Sequence, residues 1–209
     1  MVSCNPDDDD NNNNGGNNGE GDPDGEIASH GYVDLGLPSG VKWATCNVGA
    51  ETPEEYGNYY AWGETSPKAE YSWENSVTYG EQMSDISGNA QYDSATANWG
   101  GSWRMPTEDE MQELVFYCEW EWTQVNGVYG SKVIGPNGSC IFLPAAGFRD
   151  WTSLFTDGDY GNYWSSTPYD IYDDYVDYYA YGRLFLDGSV GASWRYVRYN
   201  GLTVRPLTE

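Results

Sequence analysis

The stretch Thr107-Glu108-Asp109-Glu110-Met111-Gln112-Glu113-Leu114-Val115-Phe116-Tyr117-Cys118 decides the fold class, because it is the clearest helix in a chain of short strands. Thr107 and Glu110 have the spacing of a capping box, whose side chains satisfy free N–H groups of the first turn, and Pro106 precedes the cap. Met111, Leu114, Val115 and Cys118 recur at i, i+3, i+4 and i+7 and make one apolar face. Glu108, Asp109, Glu110 and Glu113 lie toward the positive end of the helix dipole. This is a core helix, and its acids are assigned no chemistry.

Away from that helix the pattern changes. Tyr32 to Cys46 reads as two short strands around a Pro38-Ser39-Gly40 turn, because Pro fixes φ and Gly allows the left-handed corner. Thr52-Pro53-Glu54-Glu55 supplies a cap, an N1 proline and two acids, so a short helical turn is expected there. Residues 63–98 are rich in Gly, Ser, Asn and Tyr without a sustained period and are expected to be mostly loop. After the helix, Val128–Ile134 and Cys140–Leu143 form a hairpin around Gly135-Pro136-Asn137-Gly138. Tyr163–Thr167, Tyr179–Leu186 and Leu202–Pro206 are further strands, with Asp187-Gly188 as a turn. Few helices, many short strands and long loops describe an α+β domain.

Charge removes several partners. The chain has 9 Lys+Arg against 33 Asp+Glu, a formal charge of −24. A field of that sign repels phosphate backbones and disfavours docking on anionic lipid, so nucleic acid is not an expected partner. No run of eighteen apolar residues exists to span a membrane. Residues 5–28 carry eight of the acids and no base, with almost nothing to bury, and read as a solvated tether. The expected division is therefore a tether over residues 1–30 and one folded domain over residues 31–209.

Cys4 lies in that tether, directly after Val2-Ser3. The tripeptide looks like the end of a bacterial lipoprotein signal, and Asn5-Pro6 with Asp7 to Asp10 resembles the acidic export signal of Bacteroidetes surface lipoproteins. Cys4 is thus the expected lipidation site, with the outer membrane and the cell surface as location and the lipid as the sole membrane contact. Cys46, Cys118 and Cys140 match no zinc or redox spacing. Cys118 and Cys140 either pair or remain buried free thiols.

Residues 157–201 hold ten of the nineteen tyrosines, interleaved with Asp, Ser, Gly and Asn. Tyr offers a large amphipathic contact at low conformational cost, and Ser, Gly and Asn offer adaptable hydrogen bonds, the mixture that dominates antibody paratopes. Strand preference accounts for the Tyr but not for the Asp and Gly. Tyr178, Tyr181, Arg183, Ser193, Trp194, Tyr196 and Tyr199 are the candidate ligand contacts.

Six motifs in order resemble a known family. They are Val33 to Ala44, Tyr56 to Thr65, Trp103 to Thr107, Ile141 to Gly147, Gly161 to Thr167, and Val204-Arg205-Pro206. Together they resemble the Fibrobacter succinogenes major paralogous domain, found widely in Bacteroidetes lipoproteins, over roughly residues 31–207. The resemblance implies a C-type lectin-like fold, related in architecture to formylglycine-generating enzymes and to the variable proteins of diversity-generating retroelements. In those variable proteins the diversified positions precede an ending like Val204-Arg205-Pro206, which here maps to about residues 178–200. Whether this chain is such a target stays open.

Catalysis finds little support. The only histidine, His30, stands at the tether junction and reads as a solvated spacer, so no base is in place for a Ser or Cys nucleophile. The formylglycine-generating relatives use paired cysteines near the C-terminal end, and this chain has none after Cys140. Asp170, Asp173, Asp174 and Asp177 crowd one tract and are weak calcium candidates, but they fit no EF-hand spacing. The Glu-Pro-Asn and Trp-Asn-Asp motifs of calcium-dependent sugar-binding lectins are absent. No cofactor is expected. Trp43, Trp62 and Trp164 sit inside the motifs and read as core. The expected function is non-enzymatic recognition of a protein or glycan ligand. The alternatives are a glycan-active enzyme using a carboxylate pair, or a structural envelope or fimbrial component.

Overall fold

A computed structural model describes residues 25–27, 29–169 and 176–209. Cys4 and the acidic residues Asp170, Asp173 and Asp174 lie outside the described residues. The strands are β1 (Gly25–Ile27), β2 (His30–Asp34), β3 (Lys42–Ala44), β4 (Glu119–Val125), β5 (Val128–Ile134) and β6 (Cys140–Pro144). They continue with β7 (Phe148–Asp150), β8 (Ser153–Phe155), β9 (Tyr160–Pro168), β10 (Tyr179–Leu186), β11 (Ser189–Val197) and β12 (Leu207–Thr208). The helices are α1 (Ser94–Trp99) and α2 (Glu108–Tyr117), with single 3-10 turns at Trp73–Asn75 and Val176–Tyr178. The fold is α+β.

Helix α2 forms as its sequence dictates. The Thr107 side chain accepts from the Glu110 N–H at 3.3 Å, and the Thr107 N–H donates to the Glu110 carboxylate at 2.8 Å. Glu110 also holds Arg104 through a two-oxygen pair, with contacts of 2.8 and 2.6 Å. That charge-assisted pair keeps the Glu110 carboxyl below its ordinary range despite burial. Met111 and Leu114 enter a core with Leu35, Trp43, Val133, Ile141 and Phe185.

Four small sheets surround two main apolar clusters. The first, in order β1-β2-β3-β12, joins the two ends of the domain, because Leu207 pairs with Trp43. The second, β11-β10-β9, is antiparallel and carries the Tyr-rich segment. The third, β4-β5-β6, is a meander, and β7-β8 is a separate ribbon. Trp62 and Trp164 lie fully buried with Tyr60, Met105, Leu202 and Val204 in the second cluster. Their indole N–H groups donate to the carbonyls of Ser165 and Tyr60, so burial leaves neither donor unpaired.

Several expectations are corrected. Folded structure already includes Gly25–Ile27, which pair with His30–Tyr32, so the ordered domain starts before the expected boundary at residue 31. His30 is no solvated spacer. Its ring stacks on Trp99 at 3.7 Å, and burial lowers its pKa. The Thr52–Glu55 segment makes the expected single turn, closed by an N–H···O bond of 3.3 Å. Residues 63–98 are mostly loop, as expected, and end in the short helix α1, capped by the Asp93 carboxylate on the Thr96 N–H. Strand β4 was also not expected, though Asn126-Gly127 is a strong hairpin signal. Both residues take positive φ, as the tight turn between β4 and β5 requires. Leu202–Pro206 is buried but makes only isolated bridges, to Tyr60 and Tyr163, before the true strand β12. Cys118 is a free thiol, so the Cys118–Cys140 pairing is not made.

Candidate functional site

The second sheet has two faces, fixed by the register of β10 on β11. Tyr181 pairs with Arg195 and Arg183 with Ser193, so these four side chains share one face. Ala180 pairs with Tyr196, and these two buried residues belong to the other, while Trp194, opposite Gly182, is exposed and reaches the cavity. Helix α2 packs against β9, β10 and β11, and its N-terminal turn lies beside the first of these faces. An open cavity of about 940 Å³ occupies the corner they leave. Tyr169, Tyr181, Trp194 and Arg195 supply its larger side chains, while Asp85, Thr107, Glu108, Asp109, Gln112, Thr167 and Ser193 supply its polar lining.

Glu108 lines this cavity and holds the buried Arg183 behind it. The Arg183 guanidinium donates to Glu108 Oε1 at 2.8 Å, to Gln112 Oε1 at 2.9 Å and to the Gly191 carbonyl at 3.1 Å. The Ser193 hydroxyl donates to the same Glu108 oxygen and, at 3.2 Å, lies against Gln112. Burial outweighs these partners and raises the Glu108 pKa, while burial lowers that of Arg183. Two atoms of this pair, Glu108 Oε2 and Arg183 Nε, are buried without a partner among the described residues. A buried pair left incompletely bonded is costly to stability. A perturbed group lining a cavity is also a mark of functional sites.

Aromatic groups form one wall. The Arg195 guanidinium lies 5.3 Å from the Tyr169 ring centre and 5.1 Å from that of Tyr179, within cation–π range. Tyr169 packs against Tyr181 at 5.2 Å. Trp194 is 57% exposed at the cavity, which an unliganded core residue would not be. Opposite, Asp85 accepts from the hydroxyls of Thr167 at 2.7 Å and Ser166 at 3.2 Å, and the Thr167 hydroxyl accepts from the Glu108 N–H. The end of β9 is thereby tied to the start of α2.

The seven expected contacts divide into three groups. Tyr181, Ser193 and Trp194 line the cavity. Arg183 and Tyr196 are buried, and their expected role as surface contacts is corrected. Arg183 is held by Glu108, and Tyr196 donates to Asn162 at 2.5 Å beneath the sheet, where burial pushes its pKa up. Tyr178 and Tyr199 stand apart, around the ring of Tyr79 at 4.8 and 5.3 Å. Asp177 uses its carbonyl to accept from the Gly80 N–H. Among the described residues no group of three or more His, Cys, Asp or Glu is placed to hold a metal, and no helix is long and apolar enough to cross a membrane.

Sequence reasoning missed Glu108, Asp109, Gln112, Tyr169 and Arg195. Glu108 and Asp109 suit the helix dipole and Gln112 carries no signal of its own, and a single chain segment gives no sign that another element will cover it. Arg195 was legible, since it alternates with Ser193 on β11. Comparison with family models, curated proteins and solved structures returns no match.

Proposed function

We propose that this chain is a non-enzymatic recognition domain of C-type lectin-like fold, tethered through lipid on Cys4 at the outer membrane surface, and that it binds a protein or glycan ligand at the cavity between α2 and the β9–β11 sheet. The observation that carries the reading is the coincidence of an exposed Trp194 with Tyr169, Tyr181 and Arg195 around about 940 Å³ of open space. Large rigid aromatics and Arg are the side chains that dominate binding energies, and here Tyr181, Trp194 and Arg195 stand on strands β10 and β11. The motif order and the pairing of the two ends of the domain support the fold assignment.

The test is a binding screen of the full chain against glycan and protein arrays, repeated with Trp194→Ala and Tyr181→Ala. Each substitution is expected to weaken the recovered interaction by about 1–2 kcal/mol, roughly 5- to 30-fold. Undiminished binding by both variants would refute the cavity as the recognition surface.

The carboxylate-pair reading is favoured by one observation, the raised pKa of Glu108 beside Asp109 and Asp85 in the same cavity. Against it, one Glu108 oxygen is committed to Arg183 and Ser193. Glycan cleavage that is abolished by Glu108→Gln would establish the enzyme in place of the binder.

A further inference from the structure

A second cleft lies at the other end of the β10–β11 hairpin, against the β4–β5 hairpin. Its two adjoining hollows, of about 300 and 560 Å³, share Trp122, Leu186 and Asp187. The register that pairs Trp122 with Ser131 and Gln124 with Tyr129 places Trp120, Trp122 and Tyr129 on one face of the β4–β5 ribbon. The rings of Trp122 and Tyr129 are within 9° of parallel, with centres 6.2 Å apart. Since contacting rings are only about 3.5–4.0 Å apart in plane spacing, that separation requires a lateral offset, which leaves much of each face uncovered by the other. Tyr129 is 48% exposed, while Trp120 anchors the platform by packing on Phe185 at 5.4 Å.

The rim is as telling as the floor. Asp159 and Asp187 are exposed carboxylates beside the rings, and Ser189 adds a hydroxyl. Among the described residues no Lys, Arg or His lines either hollow. Lys132 pairs with Glu121 and, by strand alternation, faces away from the platform. The Asp159 loop is fixed by its own backbone, through the Gly158 N–H on the Ala145 carbonyl and the Tyr160 N–H on the Thr156 carbonyl. The offset leaves part of each ring face open, and an open aromatic face suits the axial C–H face of a pyranose. A cation is better served by rings set at angles around it. Flanking carboxylates accept hydrogen bonds from sugar hydroxyls, and their charge repels anionic ligands.

We infer that Trp122 and Tyr129, with Asp159 and Asp187, form a second binding site, for a neutral saccharide chain, separate from the cavity at α2. The probes are hydroxyethyl cellulose, galactomannan and xyloglucan, tested by affinity gel electrophoresis of the full chain. At least one polymer should retard the protein, and Tyr129→Ala should weaken that association roughly tenfold. Trp122→Ala and Asp187→Asn should weaken it too, whereas Trp73→Ala, which removes an exposed indole elsewhere, should leave it unchanged. Tyr129 and Asp187 are exposed, so these two variants keep the test sound if Trp122→Ala fails to fold. Retention should persist in about 1 M NaCl, where screening reaches about 3 Å. Failure of all three polymers, indifference to Tyr129→Ala, or loss of retention in salt would overturn the site. So would a Tyr129-dependent dimer in sedimentation velocity, which would make a second copy of this chain the occupant.

Discussion

The buried arginines at the C-terminal end of the chain and the arginine beneath the cavity solve the same problem with different completeness. Arg205 is fully enclosed and donates to the Asn47 side chain and to the carbonyls of Ala44, Thr45 and Phe142 at 2.8–3.0 Å. Arg198 likewise donates to the carbonyls of Tyr179, Thr78 and Glu81 and lies 4.6 Å over the Trp62 ring. Arg183 is nearly as buried, yet its Nε and its partner's Oε2 stay unpaired among the described residues. Saturated charge stitches loops to a core. Unsaturated charge under an open cavity instead marks a place where stability has been given up, as binding sites commonly do.

The largest expected effect breaks the saturated region. Trp164→Ala removes a fully buried indole and its bond to the Tyr60 carbonyl, and should cost about 3–5 kcal/mol in chemical denaturation. By contrast Trp194→Ala, at an exposed position, should change stability by no more than about 0.5 kcal/mol while weakening ligand binding. Equal destabilisation by the two substitutions would erase the distinction between core and binding aromatics.

A second expected effect is alkaline. Burial raises the pKa of Tyr59, Tyr60, Tyr71 and Tyr196, pushes Tyr163 up to about 12 and pushes the Cys118 thiol up to about 11. In each case the folded chain holds its proton more tightly than the unfolded chain, so stability is intact below the unfolded pKa and falls as pH rises through the folded one. For Cys118 the window runs from 9.0 to about 11, and for the tyrosines it opens at 10.0. Denaturation midpoints should therefore drop steadily above about pH 9. A flat profile to pH 12 would mean that these hydroxyls and the thiol are open to water.

Legibility tracked the range of the interactions. Helix α2 was visible in sequence because its capping box and apolar face are local, and the hairpin turns at Gly135–Gly138 and Asp187-Gly188 were visible for the same reason. Alternation assigns the residues of β10 and β11 to two faces. It does not say which part of a face another element will cover. Arg183 and Arg195 share a face, yet one lies under Glu108 and the other flanks the open cavity.

The sequence by itself determined the α+β class, the helix that starts at Thr107, about half of the strands (β2, β3, β5, β6, β9 and β10) and the acidic character, because each follows from residue spacing or net charge. Only tertiary structure decided that Glu108 and Gln112 meet Ser193 and Arg183, side chains more than seventy residues apart in the chain. It likewise decided that Trp122 and Tyr129 stand next to the Asp187 turn. Such encounters depend on how separate elements pack, and packing is set by the shape of the whole core rather than by any one segment.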